Sequence, residues 1–275
     1  MTTTLLIDAD VVVVRAALYC QTAMDFGDGE FFDYHPEELP EYIDEEIEGY
    51  MKRCRGNKVI CCLSSYPNYR ERIFPTYKGH RPPKPKLVGE AKQYIEDNYE
   101  CKLKPELEGD DVLGILSTHP KLIKGKKIIV SVDKDLKTIP GWLYNPDKDE
   151  KPYLISEQDA DAYWIRQILT GDTVDAYPGC PGVGVVTVDK LFESPWKWVS
   201  YEHEFKGGPR KGLTEIRWKQ EPVDYITWEV IVSFYEKAGQ TEQEALTMAR
   251  VARILRHTDY DFKTSKVNIL DRKIL

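Results

Sequence analysis

Residues 3–10 read TTLLIDAD, an uninterrupted apolar run that ends in acids, and this pattern constrains the chain more than any other feature. A run without polar alternation buries both faces of a strand, the condition of a parallel sheet covered by helices on each side. The pattern returns at KVICCLSS (58–65) and KKIIVSVDKDL (126–136). VVVVRAALYC continues from the first run through a turn into a helix, residues 36–55 are amphipathic with Gly56 as a stop, and further helical patterns cover 88–99 and DDVLGILSTHP. GWLYNP and KPYLIS are short strands, Ser156 caps a helix over 157–170, and a short helix opens at Thr187. Residues 201–220 are polar and basic, a loop or hairpin, and Thr241 with Glu244 forms a capping box for a helix over 242–256. Strands alternate with helices early and helices dominate late. The fold class is therefore α/β, a mostly parallel central sheet flanked by helices, followed by a helical C-terminal part. The expected division is 1–156 for the core, with a distinct segment at about 66–100, and 157–275 for the helical part, the two forming separate domains or one continuous domain.

Four acidic clusters sit at the ends of these elements: Asp8 and Asp10, then Glu108, Asp110 and Asp111, then Asp133 and Asp135, then Asp172 and Asp175. Asp133 and Asp135 share a side of an extended segment, while Asp172 and Asp175 are neighbours on a helical turn. Each cluster alone reads as a helix cap or a turn, and for Asp10 the turn is the better reading. Together they match the place where open parallel sheets build sites, beyond the carboxyl ends of the strands. Two divalent ions would neutralise such a nest, activate a water and stabilise a leaving oxygen, the chemistry of phosphodiester hydrolysis. No His-x-His, His-x-x-x-His or Cys-x-x-Cys spacing occurs, so carboxylate oxygens are the expected ligands and Mg²⁺ or Mn²⁺ the expected metals.

The formal net charge of −8 argues against nucleic acid only until its distribution is read. Residues 25–48 are rich in acids and contain neither Lys nor Arg. The stretch YRERIFPTYKGHRPPKPK, by contrast, carries Arg70, Arg72, Lys78, Arg81, Lys84 and Lys86 with Tyr69, Phe74 and Tyr77 among them. Cations of this kind meet phosphates and aromatics stack on unpaired bases, although such a run alone is more often a solvated loop than a binding site. PGCPGVG places Gly179, Gly182 and Gly184 just before a helix, so that backbone N–H groups could face a phosphate. Basic residues between 203 and 219 are a second candidate DNA contact or an ordinary solvated loop. No apolar stretch approaches the roughly 20 residues of a membrane span, the first residues lack a signal-peptide pattern, and the six cysteines form no disulfide framework. These features point to reduced thiols in a cytoplasmic protein.

The order LLIDAD, PTYKGHR, LEGDDVLGIL, VSVDKDLKTIP, LTGDTVDAYPGCPGVGVVTVDKLF and MARVARILRHTDYDF resembles the flap endonuclease and 5′→3′ exonuclease superfamily, and most of all the exonucleases of short-tailed bacteriophages. The resemblance runs from about residue 4 to about 262 and is poor over 25–50 and 195–235. It implies a PIN-like nuclease core and two Mg²⁺ ions, with Mn²⁺ able to substitute, on Asp8, Glu108, Asp110, Asp111, Asp133, Asp135, Asp172 and Asp175. It implies that 66–100 forms an arch with Lys78 and Arg81 on the scissile phosphate, and that Arg70, Arg72, Tyr77 and Lys84 bind DNA. The glycines 179, 182 and 184 with Thr187 become a helix–hairpin–helix-like grip on duplex phosphates, with a K⁺ ion as an added expectation.

The implied activity is 5′→3′ hydrolysis of double-stranded DNA from free 5′ ends, nicks or flaps, extending to flap-endonuclease or RNase H-type action on RNA–DNA hybrids. The implied location is the cytoplasm, that of the host cell for a phage protein. One departure stands out: family members carry an Asp shortly after the second strand, where this chain has Ser64 and Ser65. A hydroxyl brings no charge, so weaker metal binding is expected. The alternative reading is a DNA-structure-binding protein with weakened catalysis. A nuclease directed at RNA is disfavoured by a glycine hairpin suited to duplex grip.

Overall fold

The computed structural model describes residues 2–25 and 30–268; part of the acidic segment (26–29) and the last residues (269–275) lie outside the described residues. In chain order the elements are β1 (Thr3–Asp8), α1 (Ala9–Tyr19), β2 (Gln21–Asp25), β3 (Glu30–Tyr34), α2 (Leu39–Cys54), β4 (Lys58–Cys62), α3 (Tyr69–Ile73), α4 (Val88–Asn98), β5 (Cys101–Lys102), α5 (Gly109–Thr118) and β6 (Lys126–Val130). They continue with β7 (Gly141–Tyr144), β8 (Tyr153–Ile155), α6 (Glu157–Thr170), α7 (Val185–Glu193), β9 (Trp196–Glu204), β10 (Thr214–Pro222), α8 (Trp228–Lys237), α9 (Glu242–Ala252), β11 (Tyr260–Asp261) and β12 (Lys266–Val267). Two compact units divide them, one holding 2–69, 81–161 and 254–268, the other 70–80 and 162–253.

The first unit is built on a six-stranded sheet of order β5-β4-β1-β6-β7-β8, parallel except for the β7–β8 pair. β1 lies inside it, paired with β4 on one side and β6 on the other, which is why LLI tolerates no polar residue. Leu5 and Ile7 enter a core with Val12 and Ala16 of α1, Ile43 and Ile47 of α2, and Ala91 and Ile95 of α4. Leu6 points to the opposite face by strand alternation, where α5 packs against β1, β4 and β6. α2 buries Leu39, Ile43, Ile47, Tyr50 and Cys54, a helical stripe of spacing four, four, three and four. It closes on Arg55 in the left-handed region (φ 52°). A Cβ at Gly56 would lie 2.7 Å from Leu5 Cγ, so that glycine is set by packing as well as by its role as a stop.

The strand expected over 126–136 ends at Val130. Asp133 accepts a hydrogen bond from Asp135 N (2.8 Å) and caps a 3₁₀ turn over Lys134–Thr138, so the two acids are not one face of an extended segment. Similarly, α7 opens at Val185 rather than Thr187, with Gly184 as its N-cap.

The second unit has a core of helices. Trp164 and Ile168 of α6 meet Ile231, Phe234 and Tyr235 of α8 and Ala249 of α9 in one buried cluster. Two polar tips are satisfied inside it, Trp164 Nε1 on Ala249 O (3.1 Å) and Tyr235 Oη on Ile168 O (2.6 Å). The expected capping box closes, Thr241 N to Glu244 Oε2 at 2.7 Å and Glu244 N to Thr241 Oγ1 at 3.3 Å. The polar 201–220 stretch is an antiparallel ribbon, β9 with β10, that starts earlier than its polarity suggests, at Trp196. All six cysteines are free thiols, and no helix among the described residues is long and apolar enough to cross a membrane.

Gly114 shows how closely the first unit is packed: a Cβ there would stand 2.3 Å from Leu255 O and 2.9 Å from Ile139 Cδ1. Gly114→Ala gains about 1 kcal/mol of helix propensity, but overpacking against a backbone carbonyl costs about 1–3 kcal/mol. The expected result is a lower thermal unfolding midpoint, measured by circular dichroism.

Candidate functional site

The parallel strands of the first unit deliver their carboxyl ends to one edge of the sheet, and the acids gather there. Asp8, the last residue of β1, is also the N-cap of α1 and accepts from Val11 N (3.4 Å). Its other oxygen accepts from Ser131 Oγ (2.6 Å), just past β6, and that hydroxyl accepts in turn from Asp133 N (3.0 Å). Asp8 is 5% exposed. Burial first, then the charges of Asp10 and Asp133, push its carboxyl up to about 7, against the relief given by Ser131.

Asp10 enters from the first turn of α1 and is held at a single oxygen. Its Oδ2 accepts from Ser64 N (2.9 Å) and Ser64 Oγ (2.5 Å), and Ser64 Oγ accepts from Gly109 N (2.9 Å). A Cβ at Gly109 would lie 2.9 Å from that same Oδ2, so glycine is what lets the start of α5 approach. Burial raises the Asp10 carboxyl above its ordinary range, while the Ser64 hydrogen bonds and the charges of Lys84 and Lys92 oppose the rise. Cys62, ending β4 beneath this group, registers the same crowding. Its thiol is raised by burial and by charges that include Asp8, Asp10 and Asp110.

Sequence reasoning passed over Asp10 as a turn residue. The contact that gives it a role joins residues 54 apart, and only the serine at the end of β4 hints at it. That serine occupies the stretch where a carboxylate was expected, and it positions one brought from another strand end.

Glu108 is the N-cap of α5 and forms a capping box with Asp111. Asp111, fully buried, accepts from Glu108 N (3.3 Å) and from Leu255 N (3.0 Å), so both its oxygens shape the turn that carries Glu108 and Asp110. Asp135 meets Lys134 Nζ at 3.1 Å. Among the described residues no three acidic, histidine or cysteine side chains already converge on a single point. Instead Asp8 and Asp10 accept from serine hydroxyls, and Asp133 from a backbone amide. Of the basic segment's residues in this unit, Arg81 is exposed, and Lys84 lies over the Tyr66 ring (4.4 Å).

In the second unit, Asp172 and Asp175 lie on a turn rather than the helix expected from their spacing. Asp172 pairs backbone to backbone with Tyr177, and its Oδ1 accepts from Val174 N (2.7 Å) and Asp175 N (3.4 Å). Asp175 Oδ2 receives Tyr77 Oη (3.1 Å) and Lys78 Nζ (3.6 Å), and Lys78 N donates to Asp175 O (3.0 Å). Lys78 reaches this position with a left-handed backbone, φ 53°.

Two expected DNA contacts are corrected here. Arg70 is 2% exposed and its guanidinium is spent on Val251 O (3.0 Å) and Arg253 O (2.5 Å) at the end of α9. Tyr77, 6% exposed, belongs to the helical core. Neither is available to a nucleotide, because the fold uses both to fix the 70–80 segment. Arg72 is exposed.

The glycines at 171, 179, 182 and 184 separate by what surrounds them. Gly171 and Gly179 have positive φ and face one another; a Cβ on Gly179 would be 2.2 Å from Gly171 N. Gly182 (φ 75°) and Gly184 (φ −111°) stand in open space, with nothing within 4 Å of a Cβ. For Gly184 neither backbone conformation nor internal packing demands glycine.

The family model of the 5′-3′ exonuclease N-terminal resolvase-like domain matches residues 3–141. The exodeoxyribonuclease of Enterobacteria phage T3 is 32% identical over 232 residues, covering 80% of this chain and 76% of the relative. The exonuclease of Escherichia phage T7 is 30% identical over 231 residues, covering 80% and 77%. Among solved structures, the T5 5′-exonuclease with bound zinc superposes with a TM-score of 0.51 at 15% identity, covering 71% of this chain and 76% of that one, a likeness of fold.

The Asp8 environment makes stability depend on pH. Its folded-state value of about 7 lies above the 3.8 of an unperturbed aspartate. Its contribution is therefore fully present below pH ~4 and lost as pH rises through ~7. Without divalent ions, the wild-type unfolding midpoint should fall across this window relative to Asp8→Asn. The variant should be the more stable protein above neutrality, by on the order of a few kcal/mol. Parallel pH series of thermal melts in EDTA check it.

Proposed function

The chain belongs to the 5′-3′ exonuclease family, and from that premise we propose that it is a metal-dependent phosphodiester hydrolase that degrades double-stranded DNA 5′→3′ from free ends, nicks and flaps. The observation that carries the reading is the buried Asp8 carboxyl at the carboxyl edge of the parallel sheet, tied through Ser131 to the Asp133 turn and raised by burial and by the charges of Asp10 and Asp133. Buried, mutually repelling carboxylates with oxygen donors alone fit a hard divalent cation, Mg²⁺ or Mn²⁺. In this proposal Asp8, Glu108, Asp110, Asp133 and Asp135 supply ligands and Asp111 holds the α5 turn in register. Asp172 and Asp175 offer the same donor chemistry on their own turn. Two such ions, when bound, neutralise the clustered charge, activate the attacking water and stabilise the leaving oxygen.

The cations have separable tasks. Lys78 is positioned by Asp175 and by its own backbone, so its ammonium is oriented before any phosphate arrives. Arg81, exposed, offers a planar fork suited to bidentate phosphate contact. Both are assigned to stabilising charge that develops on the scissile phosphate. Gly182 and Gly184, open on the outside, and Thr187 are assigned to the duplex backbone, with K⁺ as a further ligand of that hairpin. RNA–DNA hybrids belong to the same proposal, since the reacting phosphate has the same charge in both duplexes.

Two experiments test these assignments. Asp133→Ala should lower cleavage of a 5′-labelled duplex in Mg²⁺ or Mn²⁺ by on the order of 10³-fold, with DNA affinity in EDTA within about twofold. Undiminished turnover would remove Asp133 from the metal set, and a wild-type protein that shifts DNA yet releases no nucleotide would make it a binder. The second contrasts two glycines. Gly184→Ala should keep the wild-type melting temperature and lose duplex affinity, whereas Gly179→Ala should unfold at lower temperature, because only the latter collides with its own chain. Melting curves and fluorescence anisotropy on one 30-base-pair duplex separate the two outcomes.

A further inference from the structure

The ribbon of β9 and β10 is longer than the fold of its unit requires. It has nine register pairs, from Trp196↔Pro222 at the base to Glu204↔Thr214 at the tip, a length of about 30 Å. The base is anchored on α8. Trp196 and Trp198 pack on Phe234 with centroids 5.9 and 6.2 Å away, and Trp198 N donates to Ser233 Oγ (3.0 Å). Beyond Ser200 the strands form a two-stranded sheet of their own, and Tyr201, Leu213 and Ile216 are exposed. Two-stranded ribbons are marginal in water without support, so an extension of this length calls for a partner.

Charge identifies the partner's chemistry. The turn 205–213 contains Lys206, Arg210 and Lys211 and no acid, in a chain of net charge −8. Lys206 and Lys211 have no carboxylate within ion-pair distance among the described residues. Arg210 is stacked on Phe205 (4.0 Å), which also lies under Arg217 (5.4 Å), so the tip is stiffened rather than loose. On the face bearing Lys197, Tyr201, Arg217 and Lys219, the acids are neutralised within the ribbon: Glu215 by Arg217 (2.5 Å) and Arg210 (3.5 Å), Glu221 by Lys219 (2.8 Å). Glu202 and Glu204 fall on the opposite face with Ile216 and Trp218, by the alternation of the register. The ribbon's base also walls a cleft of about 940 Å³ whose other lining includes Gly182, Thr187, Lys190 and Lys237. The glycine hairpin and the base of the ribbon are thereby two sides of one cleft within the second unit, with Lys190, Lys237 and Glu193 as its charged lining.

We propose that this ribbon is a second arm for duplex DNA, with Lys206, Arg210 and Lys211 set on backbone phosphates remote from the reacting one. A two-stranded β-ribbon has the width that the major groove of B-DNA admits. Phosphate contacts of this kind add affinity and register without reading sequence. The inference rests on DNA being the substrate.

The test is the salt dependence of binding. The probe is a blunt 30-base-pair duplex in EDTA, followed by anisotropy from 50 to 200 mM KCl, with wild type and the Lys206→Ala, Arg210→Ala, Lys211→Ala triple variant. Three lost phosphate contacts should reduce the slope of log affinity against log salt by about 2–3. They should also weaken binding by on the order of 10–100-fold at the lowest salt, with an unchanged melting temperature. Should the triple variant melt early, the pair Lys206→Ala, Lys211→Ala, which breaks no ion pair within the described residues, gives the same reading with a slope change of about 2. Equal slopes and affinities for wild type and variant overturn the arm. A wild-type protein that binds no duplex at any salt overturns instead the DNA reading on which it rests, and the two failures are distinct.

Discussion

Two serine hydroxyls make the acidic edge of the sheet possible. Ser131 donates to Asp8, and Ser64 donates to Asp10 through both its hydroxyl and its amide. Without them two neighbouring carboxylates, one of them 5% exposed, would keep only the Val11 amide and the more distant charges of Lys84 and Lys92 against burial. A hydrogen bond to an ionised oxygen is worth more than one between neutral groups, yet it does not cancel burial here: both carboxyls remain above their ordinary range. The edge is thus held under electrostatic stress by local donors, and a divalent cation relieves that stress directly. The same two serines fix geometry. Ser131 ties the end of β6 to the end of β1, and Ser64 ties the end of β4 to the start of α5 and to Asp10 of α1.

This arrangement gives the absence of an acid after β4 a physical meaning. The serine that stands there donates to Asp10 of α1, which brings a carboxylate to within one hydrogen bond of that strand end. Glycine at 109 is part of the same solution, because any side chain would press on the Asp10 oxygen.

Much of the fold was legible from the sequence because its strongest signals are set by burial. β1, β4 and β6 sit where the apolar runs put them, and Thr241 with Glu244 closes its box because capping is a local interaction. Errors arose where a side chain's partner lies far along the chain. Arg70 and Tyr77 were read with their basic neighbours as one DNA-binding stretch, but the carbonyls that claim Arg70 are 181 and 183 residues away. Composition assigns a contiguous run a common role, and packing divides it residue by residue. The period of Asp133 and Asp135 misled for a local reason: a carboxylate able to cap its own backbone converts the end of a strand into a 3₁₀ turn. α8 went unread although WEVIVSFYEK carries apolar residues at helical spacing, because the neighbouring ribbon drew attention to polarity rather than period.

The glycines of 171–184 carry this distinction one step further, since a single residue type there does two unlike things. At 171 and 179 glycine is required by the chain itself: two backbones cross with no room for a Cβ, and φ is left-handed at both. At 184 nothing internal excludes a side chain, and φ is ordinary. A glycine that its own fold does not need still exposes backbone N–H groups at a helix start, which favours close approach by an anion. The part of the hairpin that is rigid for folding and the part left bare for a partner are therefore adjacent, three to five residues apart. Exposed Val185 and Val186 continue the bare part into the first turn of α7.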